Sequence, residues 1–190
     1  MNSFDIRLFD VSEDDRELWN GMLLVDGAPM LNYKEYSLDW HQLVCSLIEP
    51  GEYTLLTCTC GDADCAGIGQ KNIVSHLPAK LHWEMKQPVP QSFVEFDRNE
   101  AIEKTCEILK EIRVFVPRAD YGTDFPVLPV CFRDYSLDWC LRTLQSGKIE
   151  ESPWEKTITD PALRNTKREF YYLLREPDRI LPSSKWIRKE

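Results

Sequence analysis

Between residues 57 and 67 the chain reads TCTCGDADCAG, which gathers Cys58, Cys60 and Cys65 into eight positions. Thiols this close invite three chemistries: a metal centre, redox or nucleophilic reaction, or packing of small apolar groups. In an extended segment Cys58 and Cys60, two apart, point to the same face and can share one ion. Gly61 then lets the chain turn so that Cys65 returns over the tip as a third ligand. Zinc held by thiolates asks for four ligands in a tetrahedron, and C-x-C-x₄-C supplies three. The fourth would come from His76, His82, Cys45 or a carboxylate such as Asp62, with His76 and His82 on the strands that follow. A structural zinc on Cys58, Cys60, Cys65 and one of these histidines therefore stands beside a dry thiol cluster on a hairpin.

A nucleophilic cysteine needs a base to form thiolate and a third group to orient that base. The chain has three histidines. His41 falls on a helix from which Cys58 or Cys65 is in principle reachable, although its spacing from them specifies nothing. The aspartates of GDADC lack the remainder of a calcium loop. No glycine-rich phosphate loop, G-x-S-x-G or H-E-x-x-H is present, so no residue is assigned a catalytic role.

The elements that would position these side chains read as an α+β fold, a mainly antiparallel sheet or meander with about four helices packed on it. FDIRLF (4–9) alternates apolar and polar residues, and 18–25 is a second strand closed by Asp26-Gly27. The stretch beginning Tyr36-Ser37-Leu38-Asp39-Trp40 predicts a helix with Ser37 as N-cap and Trp40, Leu43, Val44 and Leu47 inward, stopped by Pro50-Gly51. Strands at 53–60, 68–77 and 81–86 would follow as a meander with the cysteines at its tip, turning at Pro78-Ala79-Lys80. SFVEFD (92–97) alternates again and leads into a helix capped by Asp97, with Cys106 on its packed face. Helices at 136–146 and 160–175 complete the set, and the tail reads as extended. The chain reads as a single domain over residues 1–190, with a lobe boundary placed in the proline-rich segment 114–130.

YSLDW occurs at 36–40 and again at 135–139. After the first copy the apolar stripe includes Trp40. After the second it is Leu137, Leu141 and Leu144, which puts Trp139 on another face. Trp139 is therefore expected to be more exposed than Trp40 and to serve as an anchor for a partner.

Composition bounds the function classes. The 190 residues are 43% hydrophobic and 29% charged, with six Trp, seven Tyr and eight Phe, enough for a full core. No run approaches the roughly 18 apolar residues of a membrane span. Asp5 and Arg7 interrupt what a secretory leader would need as an apolar core. The expected location is the cytoplasm, where seven cysteines stay reduced. The net charge is −9; residues 151–190 carry nine Lys/Arg against seven Asp/Glu, which leaves −11 on residues 1–150. Such a surface repels nucleic-acid phosphate and suits a basic protein partner.

The run LLTCTCGDADCAGI, with LHWEM and FVEFD before a helix, resembles a group of uncharacterised small bacterial proteins that share a TCxCGxxxCxG hairpin. The resemblance covers residues 52–112 and implies a bacterial source and a local hairpin fold. It implies no activity. Two function classes follow from the residues: an acidic protein-binding domain, such as an immunity-type inhibitor that occludes a basic toxin, or a redox or metal-dependent protein built on Cys58, Cys60 and Cys65.

Overall fold

The computed structural model describes residues 1–10, 19–31, 36–58, 63–64, 66–86, 88–90, 93–115, 137–149 and 186–187. Alternation builds the first sheet. In β1 (Phe4–Asp10) the side chains of Phe4, Ile6 and Leu8 are buried, and the strand pairs antiparallel with β2 (Trp19–Val25) from Phe4↔Val25 to Asp10↔Trp19. Asp26 and Gly27 both take positive φ, 52° and 76°, the tight two-residue turn that Asp-Gly favours. They lead into β3 (Ala28–Pro29), an edge strand where proline's missing donor is tolerated.

The next elements depart from expectation. Tyr36–Leu38 is a strand, β4, and its Ser37 is fully buried. The N-cap of α1 (Trp40–Ile48) is Asp39, whose carboxylate accepts from the Gln42 amide at 2.9 Å. Ser and Asp both cap well, and β4 takes Ser37 out of contention by pairing with β6 (Leu56–Cys58). The single strand expected over 53–60 is accordingly two. β5 (Gly51–Tyr53) pairs with β7 (Asn72–Leu77), whereas β6 pairs with β4. Between them Thr54 N–H donates to the Gln42 side chain and Leu55 C=O accepts from Asp39 N–H, so α1 takes the backbone groups that would have continued the ladder.

The true meander is β7, β8 (Lys80–Glu84) and β9 (Phe93–Asp97), giving a four-stranded sheet in the order β5-β7-β8-β9. Its inner face carries Val74, Leu81, Trp83, Val94 and Phe96, all buried. Phe4 of β1 meets Trp83 and Phe96 edge to face, with centroids 6.3 and 5.1 Å away, and joins the two sheets through one core. At the surface Asn2 makes the same connection. It donates its N–H to Glu95 C=O, accepts Glu95 N–H, and binds the Asp26 carboxylate.

Asp97 caps α2 (Arg98–Phe115), accepting from Asn99 and Glu100 amides, as predicted. Helix α2 packs on β1 and β9, and α3 (Leu137–Ser146) packs against both α1 and α2. Those two neighbours correct the reading of Trp139. It is 1% exposed against 0% for Trp40, because α3 is covered from two sides and buries a wide arc that includes Trp139, Cys140, Leu141, Thr143 and Leu144. At the end of the chain β10 (Trp186–Ile187) lies parallel to β1, the exception in an otherwise antiparallel α+β fold. Three helices are present among the described residues where about four are predicted; residues 160–175, and the boundary segment from 116 onward, lie outside them.

Candidate functional site

Of the three clustered thiols, Cys58 ends β6, half-buried and opposite Tyr36 of β4; Cys60 and Cys65 lie outside the described residues. Ala63 C=O accepts from the Ala66 and Ile68 amides, and Gly67 adopts φ +68°, a tight turn ahead of β7. His76 and His82, the alternative histidines for the fourth zinc position, fall on opposite faces of one sheet. His76 is in register with buried Leu81 on the inner face, where its Nε2 lies 2.8 Å from the Ser46 carbonyl of α1. His82 is in register with Ser75 and Glu95 on the outer face, its Nδ1 3.5 Å from the Glu95 carboxylate. Among the described residues no three His, Cys, Asp or Glu side chains gather as a metal site requires.

The described thiols form a different pair. On α1, His41 and Cys45 are one turn apart, and His41 Nε2 sits 3.4 Å from Cys45 Sγ. Trp139 of α3 lies against the imidazole at 4.9 Å, and Cys140 is fully buried beside it in sequence. The sequence signal for this pair is a histidine four residues before a cysteine on one helix.

Burial sets the state of the sulfur in this pair. Gln42 Oε1 accepts from Thr54 N–H, which turns the amide Nε2 toward His41 Nδ1 at 3.5 Å. Burial, with Asp39 and Glu49 nearby, pushes the Cys45 thiol up to about 12, and burial likewise raises Cys140 and Cys106. At neutral pH these sulfurs are thiols, the form that neither attacks carbonyls nor binds metal.

The other feature is the outer face of the β5-β7-β8-β9 sheet. Alternation turns Ile73, Ser75 and Leu77 outward on β7, Lys80, His82 and Glu84 on β8, and Phe93 and Glu95 on β9. Five large hydrophobic side chains are exposed among the described residues, and three of them, Ile73, Leu77 and Phe93, share this face. Phe93 is the most open of the three, at 59%. The strand register places Glu84 between Ile73 and Phe93, with Glu52 on the far side of Ile73. His82 lies against the Phe93 ring at 5.6 Å. Lys80 and Lys86 reach Glu95 and Glu84. The face thus mixes exposed apolar groups with carboxylates and their lysine partners, Ile73 and Phe93 flanking Glu84 at one end and Leu77 standing opposite Lys80 at the other. No protein-family model, no curated protein and no solved structure matches the chain.

Proposed function

We propose that the chain is an acidic protein-binding domain that docks a more basic protein. The observation that carries this reading is the outer sheet face, where Ile73, Leu77 and Phe93 stand exposed among Glu52, Glu84 and Glu95. The −11 charge of residues 1–150 would steer a cationic partner toward it and speed encounter. An immunity-type inhibitor that occludes a basic toxin in the cytoplasm is one form such a protein takes. No helix among the described residues is long and apolar enough to cross a bilayer.

The test is to recover partners from the source cell with the full chain as bait, then reconstitute the complex from purified components. The expected result is a stoichiometric basic protein whose affinity weakens by about tenfold or more between roughly 50 and 250 mM salt. Finding no stoichiometric partner, or one whose binding ignores salt, would overturn the proposal.

A further inference from the structure

We infer that the Phe93 end of the outer sheet face is an arginine-binding surface, and that the basic partner engages it through an arginine side chain. This rests on the docking role proposed above and adds to it the chemistry and the location of contact.

Phe93 belongs to a short strand whose neighbours Val94 and Phe96 are locked in the core, so its ring is held outward on a rigid support. Its flanks are acidic in two directions. Glu84 is its direct partner across β8, a separation of about 5 Å between Cβ atoms, and Glu95 lies two residues along β9 on the same face, about 7 Å away. A planar cation resting on the ring would have a carboxylate to one side and another along the strand. A guanidinium meets both demands: it stacks flat on an aromatic face, and its fork of N–H donors pairs with carboxylates while its weak hydration lets it leave water. An ammonium group has the charge but is compact and strongly hydrated, and gains less from the ring.

The internal cations on this face do not block it. Lys80 sits 3.7 Å from Glu95, and Lys86 pairs with Glu84, but all four side chains are about a third to a half exposed, so these pairs are individually weak and exchangeable. His82 lies against the ring at 5.6 Å, tilted by 34°, and the Phe93 side chain beside it stays 59% exposed. Ile73, on the other side of Glu84, offers apolar surface for the aliphatic stem of the incoming side chain or for its neighbour.

The full chain can be titrated with two labelled peptides of equal length and charge, one arginine-rich and one lysine-rich, at low salt. The arginine peptide is expected to bind about fivefold more tightly. Phe93→Leu, which keeps apolar bulk but removes the ring, and Phe93→Ala should both erase that preference. Because the side chain is exposed, both variants should keep the parent near-ultraviolet dichroism; if Phe93→Ala does not, Phe93→Leu alone decides. Glu84→Gln and Glu95→Gln should each weaken both peptides about threefold or more, while Glu103→Gln, an equal charge change on the exposed side of α2, should change neither. Equal affinity for the two peptides, no measurable binding, or an arginine preference that survives loss of the ring would overturn the inference. The outcomes separate it from the broader reading: a stoichiometric basic partner that binds Phe93→Leu as well as the parent chain removes the arginine site and leaves the docking role standing.

Discussion

At the scale of single residues, burial decides what the described titratable groups do. With its thiol pushed up to about 12, Cys45 holds only ~10⁻⁴ of its molecules as thiolate at pH 8, and Cys140 is shifted the same way. Iodoacetamide should therefore label Cys45 and Cys140 in the folded protein more than tenfold more slowly than in about 6 M urea, as read by mass spectrometry of quenched time points. Native labelling as fast as in urea would contradict the closed α1–α3 interface. His76 gives the opposite kind of handle. Burial lowers its pKa below the ordinary 6.5, assisted by the Arg98 charge and opposed by the Ser46 carbonyl and Glu49. The unfolded chain then binds this proton more readily than the folded one, so the contribution is present above 6.5 and is lost as pH falls through the folded value. The urea midpoint should drop between about pH 7 and pH 5, and His76→Gln, whose amide still reaches toward Ser46, should flatten part of that drop. Parallel pH profiles for the two proteins would exclude His76 as its source.

At the scale of elements, two backbone positions test how the strands are seated. A Cβ on Gly21 would come within 2.7 Å of the Trp40 ring and 3.1 Å of Leu38, both fully buried, so β2 approaches the α1 entrance more closely than any side chain allows. Gly21→Ala should cost about 1–3 kcal/mol in urea unfolding, and a neutral result would mean that this approach is loose. Ala79 is the converse. It turns β7 into β8 at φ +59°, a left-handed conformation that costs a non-glycine residue about 1–2 kcal/mol, partly offset by glycine's freer unfolded chain. Ala79→Gly should leave the protein as stable as the parent or up to about 1 kcal/mol more so, and a clear loss would show that the strain is absent. These elements also show which parts of the fold are written locally. Phe4-Ile6-Leu8 and Val94-Phe96 declare their strands by period two, and Asp26-Gly27 and Asp97 declare a turn and a cap. The division of 51–58 between two sheets depends on Asp39 and Gln42 meeting Thr54 and Leu55, a pairing that no window around residue 54 contains. The burial of Trp139 depends in the same way on α1 and α2 meeting α3, and the outer sheet face became visible only when the register set Phe93 beside Glu84. His41 and Cys45, by contrast, were readable from their spacing alone.

At the scale of the molecule, the two ends of the chain converge on β1. Asn2 fastens its start to β9 and to the Asp26 turn, while the last strand lies along its outer edge with Leu8 opposite Trp186 and Phe9 opposite Ile187. Other groups of that strand are met by side chains: Lys104 Nζ donates to Phe4 C=O at 2.7 Å, and the Asp5 carboxylate accepts Ile6 N–H at 3.0 Å. A strand edge closed in this piecemeal way stays open to self-pairing at whichever position loses its cover. Deleting residues 184–190 removes the cover over Leu8 and Phe9, and it also removes three cations and one carboxylate, taking the net charge from −9 to −11. Electrostatics alone would make the shortened chain more soluble and less prone to associate. If β10 guards the edge, the opposite should be seen: sedimentation at about 100 µM should show a reversible dimer absent from the full chain, with stability lowered by about 1–2 kcal/mol for the lost hydrogen bonds. Because added charge opposes that dimer, its appearance could be assigned to the exposed backbone of β1. A shortened chain that stays monomeric with an unchanged urea midpoint would show that the terminal strand adds nothing to the fold, and that Lys104 and Asp5 suffice to close the sheet.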